Sequence, residues 1–261
     1  MLIDLAGQVA IVTGGGRGIG LTIARTLAAE GVATVVIDVR EDLLAEVRAE
    51  WSANGWQGDQ LICNVASLAE TRATVEKVEQ RFGRIDILVN NAGVGGGGRV
   101  EAMEEAAWDR AFEVNLKGTM LMSQAVIPAM KRRRRGRILN AASFAAIIPS
   151  LASSAYAASK AAVVSLTRVM AGELGPYEIT VNCYAPGMIP TELNHFAEAP
   201  PERQAMLLDT LSLRRWGDPQ DVANLICFLS SGLAGYITGT MIDVSGGKYA
   251  TQLPWLAHRE A

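Results

Sequence analysis

Tyr156 and Lys160 stand four residues apart within Tyr-Ala-Ala-Ser-Lys. On a helix both side chains leave from one face. A phenol with an ordinary pKa of about 10 is a poor base at neutral pH, and a neighbouring ammonium favours its ionised form. Such a pair can pass a proton to or from an alcohol oxygen, most efficiently when the phenol titrates near ambient pH. Ser143, thirteen residues upstream, could hold the same oxygen and polarise a carbonyl. A tyrosine and lysine at this spacing are ordinarily surface residues, and a serine after a strand is common. Their weight comes from what precedes them. Gly14-Gly-Gly-Arg-Gly-Ile-Gly20 separates the apolar run 9–13 from a helical stripe of Ile19, Ile23 and Leu27. At a strand–turn–helix junction, free N–H groups and the helix dipole attract a dinucleotide's pyrophosphate, and missing β-carbons let it approach. Asp38, eighteen residues after Gly20, ends a second apolar run. A carboxylate there can accept hydrogen bonds from the adenosine ribose and would repel a 2′-phosphate.

Strand-like and helix-like periods alternate along the chain. Strands are predicted at 9–13, 32–39, 60–63, 85–90, 137–140, 179–185 and 241–244. Between them run a charged helix and a helix opened by the capping box Ser67-Leu-Ala-Glu70. A helix over 104–129, a long helix through Tyr156 and Lys160, and one over 218–229 complete the pattern. Repeated βα units imply a single α/β domain over 1–261: a seven-stranded parallel sheet with helices on both faces. Residues 187–215 read as irregular, and a loop that long is usually functional, so it is the expected substrate-covering region.

The chain has 261 residues, 24 Lys plus Arg against 27 Asp plus Glu, and a net charge of −3. That balance argues against nucleic acid. No apolar run approaches the roughly 20 residues of a membrane helix. Asp4 sits where a secretory signal carries positive charge. Cys63, Cys183 and Cys227 are too few for a disulfide framework and have no zinc-ligand spacing with His195 or His258. A protein of the reducing cytoplasm is expected, with no metal.

Six ordered motifs resemble the short-chain dehydrogenase/reductase family in its classical form, over about residues 5–250. They are Thr13-Gly14-x-x-x-Gly18-x-Gly20, Asn90-Asn-Ala-Gly93, Asn115 within Val-Asn-Leu-Lys-Gly, Ser143 with Tyr156-x-x-x-Lys160, Pro186-Gly187 with Thr191, and the ending 239–247. The resemblance implies an oxidoreductase moving hydride between a nicotinamide dinucleotide and a secondary alcohol or ketone. It implies a catalytic set of Asn115, Ser143, Tyr156 and Lys160. Lys160 would also bond the nicotinamide ribose, and Asn115 would position a proton-relaying water. The implied dinucleotide contacts are Gly14, Arg17, Gly18, Ile19, Gly20, Asp38, Asn64, Val65, Asn91, Ala92, Gly93, Tyr156, Lys160, Pro186, Gly187, Ile189 and Thr191. The family usually has Asp where Asn64 stands; an amide oxygen can still accept from the adenine amino group. Asp38 favours NAD over NADP, although Arg17 or Arg40 could answer a phosphate.

Two competing readings follow. One is a 3-oxoacyl-[acyl-carrier-protein] reductase using NADPH, suggested by Lys131-Arg-Arg-Arg-Arg-Gly-Arg137 as a docking site for an acidic carrier. That run also suits a plain helix C-terminus, whose dipole attracts cations. The other is a dinucleotide-binding scaffold without turnover. Phe144, Ala145, Ile147, Ile148 and Met188 are expected to wall the substrate site, so the substrate should be uncharged near its reacting carbon. Gly95 to Gly98 could border the mouth, and Met188, Leu193, His195 and Phe196 could form a lid. Trp255 in the tail could cover a neighbouring subunit's site or simply fray. Small residues on the Tyr156 helix, Ala155, Ala158, Ala161 and Ala162, suit close packing between subunits, and the family is usually tetrameric.

Overall fold

The computed structural model describes residues 3–192, 194, 196–248 and 250–259. Seven strands form one parallel sheet in the order β3-β2-β1-β4-β5-β6-β7. They are β1 (Val9–Thr13), β2 (Ala33–Asp38), β3 (Gly58–Ile62), β4 (Ile87–Asn90), β5 (Gly136–Ala141), β6 (Ile179–Pro186) and β7 (Met241–Val244). Each expected strand is present, with no end displaced by more than two residues. The helices are α1 (Gly18–Ala29), α2 (Glu41–Asn54), α3 (Leu68–Phe82), α4 (Glu105–Phe112), α5 (Gly118–Arg133), α6 (Ser154–Leu174), α7 (Pro201–Leu208) and α8 (Pro219–Ser230).

Alternation along each strand divides the core in two. On β1, Ala10 and Val12 face one way and pack with α1, α2 and α8 through Ile23, Leu27, Val47, Val222 and Ile226. Val9 and Ile11 face the other way and pack with α3, α5 and α6 through Val75, Val126, Met130 and Met170. The order reverses at β1, which pairs with β2 on one side and β4 on the other. The crevice beyond the carboxyl ends of β1 and β4 is where open α/β sheets take ligands.

Two expectations are corrected. The single helix over 104–129 is three pieces: α4, a π turn over Glu113–Lys117, and α5 continuing to Arg133. Apolar periodicity carries through an inserted residue, so the sequence hides the break. The stretch 187–215 is not wholly irregular; it contains a 3-10 turn over Phe196–Glu198 and α7. Among the described residues no helix is long and apolar enough to cross a membrane, no cluster of three potential metal ligands occurs, and all three cysteines are buried free thiols.

Candidate active site

Thr13 closes β1 and its hydroxyl joins the two turns at the crevice. It accepts from the N–H groups of Asn91 and Ala92, each at 3.0 Å. The Asn91 side chain donates back to the Gly14 carbonyl at 3.1 Å. This approach leaves no room for side chains in the glycine turn. A β-carbon on Gly14 would lie 2.8 Å from Ala92 Cα, and one on Gly20 would lie 2.2 Å from the Gly14 oxygen. Gly14 and Gly18 also have φ of +60° and +55°, the left-handed region glycine occupies without strain. No side chain caps α1 and no acidic residue stands in its first turn, so its N-terminal dipole faces the cradle undiminished. Those features fit a pyrophosphate. Ile19, in that first turn, packs against the core.

Asp38 ends β2 beside this turn. Its carboxylate accepts from the N–H groups of Gly16, Val39 and Arg40 at 3.1, 2.8 and 3.2 Å. Both nearby arginines already have anionic partners. Arg40 makes a forked pair with Asp42, and Arg17 pairs with Glu192. Asn64 differs from expectation in its bonding: its amide oxygen accepts from Ala66 N–H at 3.0 Å, a local turn that engages the atom expected to meet adenine. Val65 is buried, and its methyl would lie 2.7 Å from a β-carbon on Gly118, which explains the glycine that opens α5.

The reacting groups come from the end of β5 and from α6. Ser143, just beyond β5, is buried and its oxygen accepts from Ala145 N–H at 3.2 Å. Tyr156, from the first turn of α6, lies close enough to Ser143 for the serine to favour the ionised phenol. Lys160, one turn along, is buried, and its Nζ donates to the Ala141 carbonyl at 2.8 Å. The Nζ is 5.8 Å from the Tyr156 ring centre. Burial pushes the Lys160 pKa down to about 8. Burial also pushes the Tyr156 phenol above its ordinary value, with Ser143 pulling the other way. The expected depression by the ammonium is absent in the protein alone, because Nζ is turned toward Ala141 and desolvation of the phenolate dominates.

Asn115 lies in the π turn with its side chain fully buried. Its amide accepts from Val94 N–H at 2.8 Å and donates to Val94 O and Ser159 Oγ, both at 3.0 Å. π turns frequently mark functional sites, and this one aims an amide at the loop after β4. Gly93 fits between Asn115 and Lys160: a β-carbon there would lie 3.2 Å from Asn115 Oδ1 and 3.4 Å from Lys160 Nζ.

Pro186 ends β6, and Gly187 N–H donates to Val244 O at 2.9 Å. Gly187 approaches Ser245 so closely that a β-carbon would be 2.5 Å from its Cα. Met188 and Ile189 are buried. Thr191 lies over the start of α1, its methyl 3.8 Å from where a Gly18 β-carbon would stand. Contacts thus join Thr13, Gly14 and Gly20 to Asn91 and Ala92, Asp38 to Gly16, Thr191 to Gly18, and Gly93 to Asn115 and Lys160, while Asn64, Val65 and Pro186 lie at neighbouring strand ends. The expected lid residues Leu193 and His195 lie outside the described residues; Phe196 stacks on Trp216 at 6.0 Å.

Sequence reasoning passed over Tyr184. It is fully buried in β6, and its hydroxyl donates to Asn91 Oδ1 at 3.3 Å. A tyrosine in a strand of a buried parallel sheet is a usable signal, since a buried phenol needs a partner. Part of the arginine run has local partners. Lys131 lies 4.2 Å from the Tyr177 ring centre, Arg132 pairs with Glu79, and Arg134 donates to Pro176 O at 2.9 Å. It sits between α5 and the start of β5, the sheet edge opposite Ser143. The tail folds on its own chain, with His258 Nε2 2.8 Å from Ser212 O and Arg259 over Trp255.

The model of the short chain dehydrogenase family matches residues 8–201. The chain is 38% identical to the (2S)-[(R)-hydroxy(phenyl)methyl]succinyl-CoA dehydrogenase subunit BbsD of Thauera aromatica, over 94% of this chain and 98% of that protein. It is 36% identical to the 3-oxoacyl-[acyl-carrier-protein] reductase FabG of Thermotoga maritima, over 93% and 98%. A gluconate 5-dehydrogenase from Burkholderia cenocepacia, solved with NADP and tartrate, superposes with a TM-score of 0.92 at 35% identity, over 96% and 98%.

Proposed function

Because the chain belongs to the short-chain dehydrogenase family, we propose that it interconverts a secondary alcohol and its ketone with NAD(H), Tyr156 carrying the proton. The observation behind this reading is buried Lys160 with its Nζ 5.8 Å from the Tyr156 ring centre, next to Gly93 and at the same end of the sheet as the glycine cradle. The dinucleotide supplies the hydride acceptor or donor. The glycine turn with Arg17, Gly18, Ile19 and Gly20 holds its pyrophosphate, and Asp38 the adenosine ribose. Asn64 and Val65 border the adenine. Asn91, Ala92, Gly93, Pro186, Gly187, Ile189 and Thr191 line the nicotinamide half, with Lys160 on that ribose.

Ser143 donates to the substrate oxygen, which polarises a carbonyl or steadies the alcohol. Tyr156 gives or takes the proton at that oxygen. Lys160, titrating at about 8, exchanges protons readily near neutral pH. Asn115 has its amide committed to Val94 and Ser159, so its contribution is to fix the loop after β4 rather than to hold water by its side chain. One domain over 1–261 carries both binding and catalysis, and residues 187–215 cover the substrate.

NAD is favoured because Asp38 faces the turn while Arg17 and Arg40 are held by Glu192 and Asp42. The competing reading, an acyl-carrier-protein reductase, draws on the FabG relative. It loses the arginine run as a docking site, since that run is at the far sheet edge. Buried free thiols suit a cytoplasmic enzyme. A groove of about 760 Å³ on α4, α5 and α6, lined by Phe112, Leu116, Met120, Leu166 and Val169, suits the subunit contact of a homotetramer.

A steady-state screen of secondary alcohols, ketones and an acetoacetyl thioester with NADH and NADPH tests the proposal. Tyr156→Phe should lower kcat by about 10²–10⁴-fold, while dinucleotide affinity stays within about threefold. Turnover undiminished in that variant refutes the assignment.

A further inference from the structure

Lys248 has no part in the scheme above. It follows Gly246-Gly247 after β7 and is neither exposed nor fully buried. Its Nζ lies 5.2 Å from the ring centre of Phe144, the residue after Ser143. The same Nζ donates to Thr210 Oγ1 at 2.8 Å. Thr210 follows α7 in the substrate-covering stretch. The surrounding backbone holds the arrangement: Leu213 N–H donates to Gly246 O at 3.0 Å, Ser212 Oγ donates to Gly247 O at 3.0 Å, and Lys248 N–H donates to Ser245 Oγ at 3.2 Å. Lys248 thus stands between the wall beside Ser143 and the segment that covers the substrate.

An ammonium has three protons to donate, and one goes to Thr210. Burial lowers its pKa, and among the described residues no carboxylate offsets that burial. Keeping a cation partly out of water without a counter-charge is costly, and the aromatic face of Phe144 returns only part of that cost. An anion arriving at this position would be met by donors already in place. The loop beyond Phe144 is apolar and solvent-facing: Ile147 and Ile148 are about half exposed and Leu151 almost completely so. An apolar stem between the reacting carbon and the charge is compatible with that wall. It also keeps the reacting carbon in the neutral surroundings expected for it.

Resting on the proposed alcohol/ketone chemistry, we infer that Lys248 is a specificity-determining residue that receives a carboxylate of the substrate, separated from the reacting carbon by an apolar spacer. The substrate class is a keto acid or its hydroxy acid, not a neutral ketone.

The test compares levulinate and its two next longer keto-acid homologues with their methyl esters, in the wild type, Lys248→Met and Lys248→Arg. For at least one length the wild-type kcat/KM should favour the acid over the ester by about tenfold or more. Lys248→Met should cut that acid-to-ester ratio by about tenfold, mainly through KM for the acid, and Lys248→Arg should restore most of it. A residue that merely ties Thr210 to the loop after β7 would lower acid and ester together, leaving the ratio unchanged; that result overturns the inference. If the wild type reduces neither acid nor ester, the proposed chemistry fails for these compounds. Quenching of bound NADH fluorescence by the acids then decides the role of Lys248. Quenching weakened about tenfold in Lys248→Met supports it, and equal quenching in both proteins, or none in the wild type, overturns it.

Discussion

Lys160 is a buried cation, and its burial costs stability. Its ammonium donates to one carbonyl, Ala141 O, and its pKa falls from 10.5 to about 8. Below pH 8 both folded and unfolded chains hold the proton, so the full cost of burying the charge is present. Between pH 8 and 10.5 the unfolded chain binds more protons, and stability gained from this group rises with pH. The thiols of Cys63, Cys183 and Cys227 act in the opposite sense, because burial raises their pKa values, and their contribution cancels in a comparison of two proteins. Lys160→Met should therefore be more stable than the wild type near pH 7, by roughly 1–3 kcal/mol. That advantage should shrink toward pH 10. Urea unfolding of both proteins across this range checks it, and a pH-independent difference would contradict the buried-charge account. Tyr156 was legible as a neighbour of Lys160 on one helix face from their spacing. Its upward shift in the protein alone was not, because spacing along a helix says nothing of where an Nζ finds its carbonyl.

At the scale of elements, the strands and the glycine turn were readable because short apolar runs and glycines act locally. The π turn was not. It inserts a residue without disturbing the types on either side, yet it turns Asn115 inward onto Val94 and Ser159. Tyr184 stayed hidden for a related reason: its partner Asn91 is 93 residues away, and no local pattern announces that contact. Helix α7 lay hidden in a stretch dominated by prolines and polar residues. The glycine turn makes the strictest element-level demand, since Gly20 faces the Gly14 carbonyl and Asn91 Nδ2 at distances a β-carbon cannot occupy, 2.2 and 2.4 Å. Gly20→Ala must push α1 away from the loop after β4. A loss of roughly 1–3 kcal/mol in stability is expected, with dinucleotide affinity falling more than tenfold because the cradle opens. Calorimetry with titration of NADH measures both, and unchanged affinity would show that the turn is not the pyrophosphate site.

Across the whole molecule, two surface features compete to explain how the chain meets other macromolecules. Within the arginine run Lys131, Arg132 and Arg134 are engaged by Tyr177, Glu79 and Pro176, and the run lies at the sheet edge away from the crevice. The groove on α4, α5 and α6 is different in kind. Met120 and Val169 are exposed there, beside Ala162 on the helix that also carries Tyr156 and Lys160. Apolar faces of that sort mark contacts between proteins, and small side chains on α6 allow two helices to approach. Assembly through this face would clamp α6 from outside while Val163 and Thr167 anchor it from inside. A charge at the centre of such a contact is strongly unfavourable. If this face joins subunits, Val169→Asp is expected to give a species of the single-chain mass, 27.8 kDa, in light scattering after size-exclusion chromatography, where the wild type gives a larger one. Because α6 then loses its outer support, turnover should fall with dissociation and recover as protein concentration rises. A wild type that elutes as a monomer at micromolar concentration would remove the groove as a subunit contact.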